Sequence, residues 1–87
     1  MPTVEITPQA DEHLADLDTE PRERILKKLA EAEDWPDHRL KSLSNYPYYT
    51  LRAGDYRAII MWDRNRDRLI VEAVGHRRYV YDRHLPP

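Results

Sequence analysis

The spacing of apolar residues changes its period along the chain, and each change marks an element. Thr3-Val4-Glu5-Ile6 alternates polar and apolar residues, which predicts a short first strand. Thr7-Pro8 then opens a helix, because Thr7 can accept from an orphan helical N–H and Pro8 at the first helical position gives up nothing. Ala10, Leu14 and Leu17 recur at i, i+4 and i+7 on one face, with His13 at its border. Asp18-Thr19-Glu20-Pro21 is a break and a second start, with Asp18 or Thr19 as the cap. Ile25, Leu26, Leu29, Ala30 and Ala32 form the apolar face of this second helix, and Glu23 precedes Lys27 in the favourable i,i+4 order. Trp35-Pro36 ends it, since a residue before proline avoids the α region.

Residues 38–47 read as irregular, with Leu40 and Leu43 as anchors and Asn45-Tyr46-Pro47 as a turn. From Tyr48 the period is two: Tyr49 and Leu51 point one way, Tyr48, Thr50 and Arg52 the other. Gly54-Asp55 is a Gly-X hairpin turn. Tyr56 to Trp62 is apolar on both faces and therefore central. A polar loop, Asp63 to Asp67, leads to a strand over Leu69–Val74 that Gly75 is expected to break. Tyr79 to His84 offers one more helical turn, which Leu85-Pro86-Pro87 cannot continue. The order is β-α-α-β-β-β, an α+β fold with a helical hairpin packed on a small, mainly antiparallel sheet, forming a single domain over residues 1–87.

Composition removes several chemistries. The 87 residues contain no Cys, which excludes disulfides, thiolate metal sites and a Cys nucleophile. No apolar run approaches the roughly 20 residues that span a bilayer, and no basic and apolar leader opens the chain, so a cytoplasmic protein without membrane partners is expected. The net charge of −2 hides a strong division. Residues 1–37 hold eleven acids and four bases, a net of −7; residues 38–87 hold ten bases and five acids, a net of +5. Such asymmetry points to a polyanion-binding half. Eleven of the fourteen bases are Arg, the side chain suited to bidentate phosphate contact.

The bases of the second half collect at strand ends. Pairing across the Gly54 turn brings Arg52 near Arg57, and Arg77-Arg78 follow the last strand. Tyr49, Tyr56, Tyr79 and Tyr81 interleave with them, and arginine beside exposed tyrosine is the usual surface for single-stranded RNA. His13, His38 and His84 read as surface groups, and no pair of histidines has metal-ligand spacing. No metal or cofactor is expected.

Lys41-x-Leu43, then Tyr49-Thr50-Leu51-Arg52-x-Gly54-Asp55-Tyr56-Arg57, then Val74-Gly75-His76-Arg77-Arg78-x-Val80-Tyr81 resembles the RelE/ParE toxin superfamily of type II toxin–antitoxin systems, and its RelE branch above all. The resemblance covers essentially the whole chain. It implies a metal-independent endoribonuclease that cuts mRNA in the ribosomal A site, the substrate's 2′-OH attacking the neighbouring phosphate to leave a 2′,3′-cyclic phosphate. It implies catalytic roles for Arg52, Arg57, Arg77 and Tyr81, with Tyr81 stacking on a base or helping to move the 2′-OH proton. Lys41, Tyr49, Thr50 and Arg78 are the matching candidates for RNA contact. Thr50 stands where many RelE toxins carry a second basic residue, and His76 is the candidate to take over proton transfer. The resemblance further implies a cognate antitoxin, through which oligomers form. A ParE-like toxin that binds gyrase, and a catalytically weak homologue that mainly binds its antitoxin, are the alternatives on the same scaffold.

Overall fold

The computed structural model describes residues 2–85; Met1, Pro86 and Pro87 lie outside the described residues, and with them the expectation that the closing prolines stop the last helix. The elements run β1 (Thr3–Ile6), α1 (Pro8–Ala15), α2 (Thr19–Asp34), α3 (Pro36–Arg39), β2 (Leu40–Ser42), β3 (Tyr49–Ala53), β4 (Tyr56–Asp63), β5 (Arg68–His76) and α4 (Val80–His84). They form a five-stranded sheet in the order β1-β5-β4-β3-β2, antiparallel except for the β1–β5 pair. The expected α+β class holds, and β4 is central as its two-sided apolar pattern requires.

Local chemistry explains most boundaries. Thr7 caps α1, its hydroxyl accepting from the Ala10 N–H at 3.1 Å, with Pro8 in the first turn. Asp18 is the N-cap of α2 by backbone position, without a side-chain bond. The buried face of α2 is narrower than expected: Ile25, Leu29 and Ala32 are inside, whereas Leu26 and Ala30 are exposed. Arg24–Glu20 is an exposed ion pair of this helix, and Lys28–Glu31 pairs at the border of its buried face. With Ala10 and Leu14, the buried residues of α2 cover Leu51, Ala53, Ala58, Ile60, Leu69, Val71 and Val74 on one face of the sheet. The opposite face carries a smaller cluster, Ile59, Ala73 and Val80, flanked by Tyr48, Tyr81 and Leu85.

Two elements within the irregular segment differ from expectation. Pro36 starts the single turn α3, and Leu40-Lys41-Ser42 then pairs with Leu51-Thr50-Tyr49 as edge strand β2. The last strand also runs further. Gly75 does not break β5 but pairs with Arg57, and His76 pairs with Tyr56. A bulge makes this possible: Ile60 opposes Val71 while Ile59 opposes Ala73, leaving Glu72 as the extra residue. The bulge turns every later side chain of β5 to the other face. Gly75 then lies under α4, where a Cβ would stand 3.3 Å from the Cβ of Val80.

Beyond Val71, β5 has no strand neighbour on its β1 side, and α1 supplies the missing partners. Thr7 Oγ1 donates to the Val71 carbonyl at 2.9 Å, and Gln9 Nε2 donates to the Glu72 carbonyl at 3.0 Å. The Val74 N–H donates to Nδ1 of His13 at 3.2 Å. His13, expected as a surface group, therefore satisfies a backbone donor at a sheet edge. Its ring lies 4.7 Å from that of His84 at the end of α4. Burial, then the His13 and Arg83 charges, hold the His84 pKa below its ordinary value of 6.5. The unfolded chain then takes up the His84 proton more readily than the folded one, so stability is full above about pH 6.5 and falls as pH drops below it. Melting curves between about pH 7 and pH 5 should show this fall, and His84→Gln should flatten it.

The β3–β4 turn is the other point of fixed conformation. Gly54 has φ 62°, while Asp55 keeps a negative φ, as a type II′ turn requires. Alanine at Gly54 would hold the left-handed conformation at a cost of about 1–2 kcal/mol. Its Cβ would also lie 2.5 Å from Nη1 of Arg24, a flexible end that can swing away. Thermal unfolding of Gly54→Ala should come about 4–16 °C lower than wild type, with a smaller loss for Gly54→Asn, which tolerates that backbone better.

Candidate functional site

The candidate site is built on the sheet face away from α1 and α2. Residues paired directly across antiparallel strands share a face, so register alone sorts the side chains. Lys41 pairs with Thr50, and Thr50 with Ile59; one step along, Arg52 pairs with Arg57, and Arg57 with Gly75. These two rows form a surface that is polar toward β2 and apolar toward β5. Val80 of α4 is buried against the apolar end and brings Tyr81 over the sheet, where its hydroxyl lies 2.9 Å from Oγ1 of Thr50.

The result is an open groove of roughly 490 Å³ lined by His38, Arg39, Leu40, Lys41, Thr50, Arg52, Arg57 and Tyr81. Four of these residues are Lys or Arg, and none is a carboxylate. Arg57 is anchored: its Nη1 donates to the carbonyls of Gly54 at 2.7 Å and Tyr56 at 2.8 Å. Arg39 lies 3.7 Å from Glu31, which Lys28 also approaches at 3.5 Å, so a carboxylate of α2 steadies α3 at the groove wall. Arg52 is exposed in the groove. A cluster of guanidinium and ammonium groups without acidic lining favours a polyanion, and adjacent guanidinium groups match the geometry of a phosphodiester.

The site residues expected from the sequence divide into two sets. Lys41, Thr50, Arg52, Arg57 and Tyr81 meet in the groove. Arg77 stands beside the Gly54-Asp55 turn, its N–H donating to the Asp55 carbonyl at 2.8 Å and its Nε lying 3.8 Å from the Asp55 carboxylate. Arg78 is exposed after β5, its N–H donating to Nδ1 of His76 at 3.2 Å. Tyr49 and His76 lie on the opposite face. Tyr49 packs edge-on against Trp62, with ring centroids 5.5 Å apart, and joins the core under the helices. The His76 ring meets Tyr56 edge-on and Tyr79 at a tilt, with centroids 5.6 and 5.9 Å away, in a pocket shared with His13 and His84. The bulge at Glu72 is the cause: without it, His76 would project to the groove face.

His38 and Arg39 were not expected in the site. Their signal was faint but present: Pro36 at a helix start places both residues immediately before Leu40 and Lys41. Among the described residues no group of three or more His, Asp or Glu side chains is arranged to hold a metal, and no helix is long and apolar enough to cross a membrane.

Residues 4–81 match the family model of the ParE toxin of the type II toxin–antitoxin system parDE. The chain belongs to this toxin family. Within the wider RelE/ParE superfamily, its fold is similar to that of solved RelE toxins. The RelBE2 toxin–antitoxin complex from Mycobacterium tuberculosis superposes with a TM-score of 0.78 at 21% identity, covering 85% of this chain and 95% of that one. The intact Escherichia coli RelBE complex gives 0.74 at 23% identity, with 87% and 96% covered. The RelB–RelE complex from Methanococcus jannaschii gives 0.73 at 25% identity, with 91% and 96% covered. No curated protein matches the chain. As a ParE/RelE-family toxin, the chain carries its basic groove on the sheet face opposite the helical layer.

Proposed function

We propose that this toxin is a metal-independent endoribonuclease that cleaves mRNA bound in the ribosomal A site. The observation that carries the proposal is the groove itself, in which Arg39, Lys41, Arg52 and Arg57 gather beside Tyr81 without a carboxylate. In the proposed reaction the substrate's 2′-OH attacks the adjacent phosphorus, the bond to the 5′-oxygen of the next nucleotide breaks, and a 2′,3′-cyclic phosphate and a 5′-OH remain. Charge builds on the non-bridging oxygens as the phosphorane forms. Arg52 and Arg57, paired across the hairpin, would stabilise that charge, with Arg57 held by its two carbonyl contacts. Lys41 and Arg39 would hold flanking phosphates. The acidic face of α1 and α2 would point away from the RNA.

A second reading is a toxin that binds gyrase and cleaves nothing, and the match to the ParE toxin family favours it. Induction of the protein followed by mapping of mRNA 5′ ends and by plasmid supercoiling assays separates the two. New 5′ ends inside translated codons with normal supercoiling support the nuclease. Unchanged ends with altered supercoiling replace it by the gyrase reading.

The partner we propose is a cognate antitoxin, as in the toxin–antitoxin complexes whose fold this chain shares. An acidic segment of that antitoxin laid along the groove would neutralise the same cations that RNA requires, and toxin and antitoxin would assemble into larger oligomers.

A further inference from the structure

We propose that Thr50 is a positioning residue, which holds Tyr81 in the groove through a hydroxyl-to-hydroxyl bond and does not itself contact RNA. The inference rests on the reading of the groove as an RNA site. Thr50 Oγ1 and the Tyr81 hydroxyl lie 2.9 Å apart and join residues 31 positions apart in the chain. Each hydroxyl can donate once and accept, so the pair satisfies itself whichever way the proton lies. Thr50 suits this task because a β-branched side chain on a strand has a restricted χ1. Its neighbours in the cross-strand row, Lys41 and Ile59, fix the direction in which the hydroxyl leaves the sheet.

The element that this bond holds is α4. It is five residues long, and isolated helices of that length do not persist in water. Its one buried residue is Val80, seated against Ile59 and Ala73 and close to Gly75. Tyr81 and Leu85 pack at the edge of the same cluster and the His84 ring lies 4.7 Å from that of His13, so these contacts seat the turn on the sheet but do not fix where the Tyr81 hydroxyl points. The Thr50–Tyr81 bond supplies that direction and holds the phenol end of the ring at the groove wall beside Arg52 and Arg57. A lysine at position 50 would offer a long, flexible cation in place of a short fixed oxygen. In this chain the position orients the tyrosine and adds no charge.

The test is a double-mutant cycle on the full chain, using Thr50→Val, Tyr81→Phe and the pair together, with Thr50→Ser and Tyr81→Ala as references. The readouts are affinity for a single-stranded RNA oligonucleotide by fluorescence anisotropy, kcat and KM on ribosome-bound mRNA, and NMR contacts between the Tyr81 ring and the residue 50 side chain. Thr50→Val and Tyr81→Phe should each weaken RNA binding by about 3- to 10-fold, and the double variant no further, because each removes the same bond. Thr50→Ser should restore affinity, Tyr81→Ala should lose more than Tyr81→Phe, and Thr50→Val should lose the NMR contacts. Additive losses, a Thr50→Val variant that binds as wild type, or contacts that survive in Thr50→Val would overturn the proposal. A wild-type chain that binds RNA without cutting it overturns the nuclease reading alone. One that binds no RNA overturns the groove as an RNA site, and the NMR contacts then decide whether Thr50 holds the ring.

Discussion

Alanine in place of Arg52 is expected to reduce cleavage of ribosome-bound mRNA by about 100- to 1,000-fold, the usual loss when one donor to a developing oxyanion is removed. Arg52 is the cleanest position at which to measure the effect. It is exposed in the groove, and among the described residues no ion pair or side-chain hydrogen bond ties it to the fold. Its removal should leave the melting temperature within a few degrees of wild type. Arg57 is a poorer probe, because its contacts with the Gly54 and Tyr56 carbonyls also brace the hairpin, so loss of activity there would mix with loss of structure. Arg52→Lys should recover only part of the rate, since an ammonium cannot make the bidentate contact of a guanidinium. Single-turnover cleavage with saturating toxin isolates the chemical step. An Arg52→Ala rate within threefold of wild type would remove this residue from the proposed mechanism.

The largest expected loss of stability follows Ile60→Ala, by about 3 kcal/mol within the 2–5 kcal/mol range for such truncations. Ile60 is fully buried on the central strand, where it opposes Val71 and lies under the helical layer. Both neighbouring strands are fixed by ladder hydrogen bonds, so the space left by the lost methyl and methylene groups cannot readily close. In a domain of this size the change corresponds to a melting temperature lower by about 12–24 °C. The companion Ile60→Val should lose only about 1 kcal/mol. Urea unfolding followed by circular dichroism distinguishes a true cavity effect, which moves the midpoint at constant slope, from a change in the unfolded chain.

The parts of this fold that were legible in the sequence are those with enough residues to show a period. Tyr48 to Arg52 alternates and Tyr56 to Trp62 is apolar on both faces, and each runs long enough to place a strand, the turn between them and the faces of Thr50 and Arg52. β2 has three residues, too few for a period of two to stand out, and α3 is one turn. Both follow from pairing with β3, which is a tertiary event. The reach of β5 and the face of His76 depend on one bulged residue, Glu72, with nothing in its local sequence to announce it. His13 was legible as a residue bordering an apolar stripe, but its bond to Val74 needs a strand 61 residues later. Of the candidate site, the residues on β2, β3, β4 and α4 converge, whereas Tyr49 and His76 went to the opposite face by alternation and by the bulge.

The parallel pairing of β1 with β5 bears on how such a toxin comes into being. Thr3 to Ile6 can close the sheet only against Arg68 to Val71, 65 positions further along, and Tyr81 meets Thr50 across 31 positions. The β3–β4 hairpin is local and fast to form, but long-range closures of this kind come late in folding. The hairpin can therefore set Arg52 beside Arg57 before β1 has closed the sheet and before Tyr81 walls the groove, so the cationic row comes ahead of the finished site in folding.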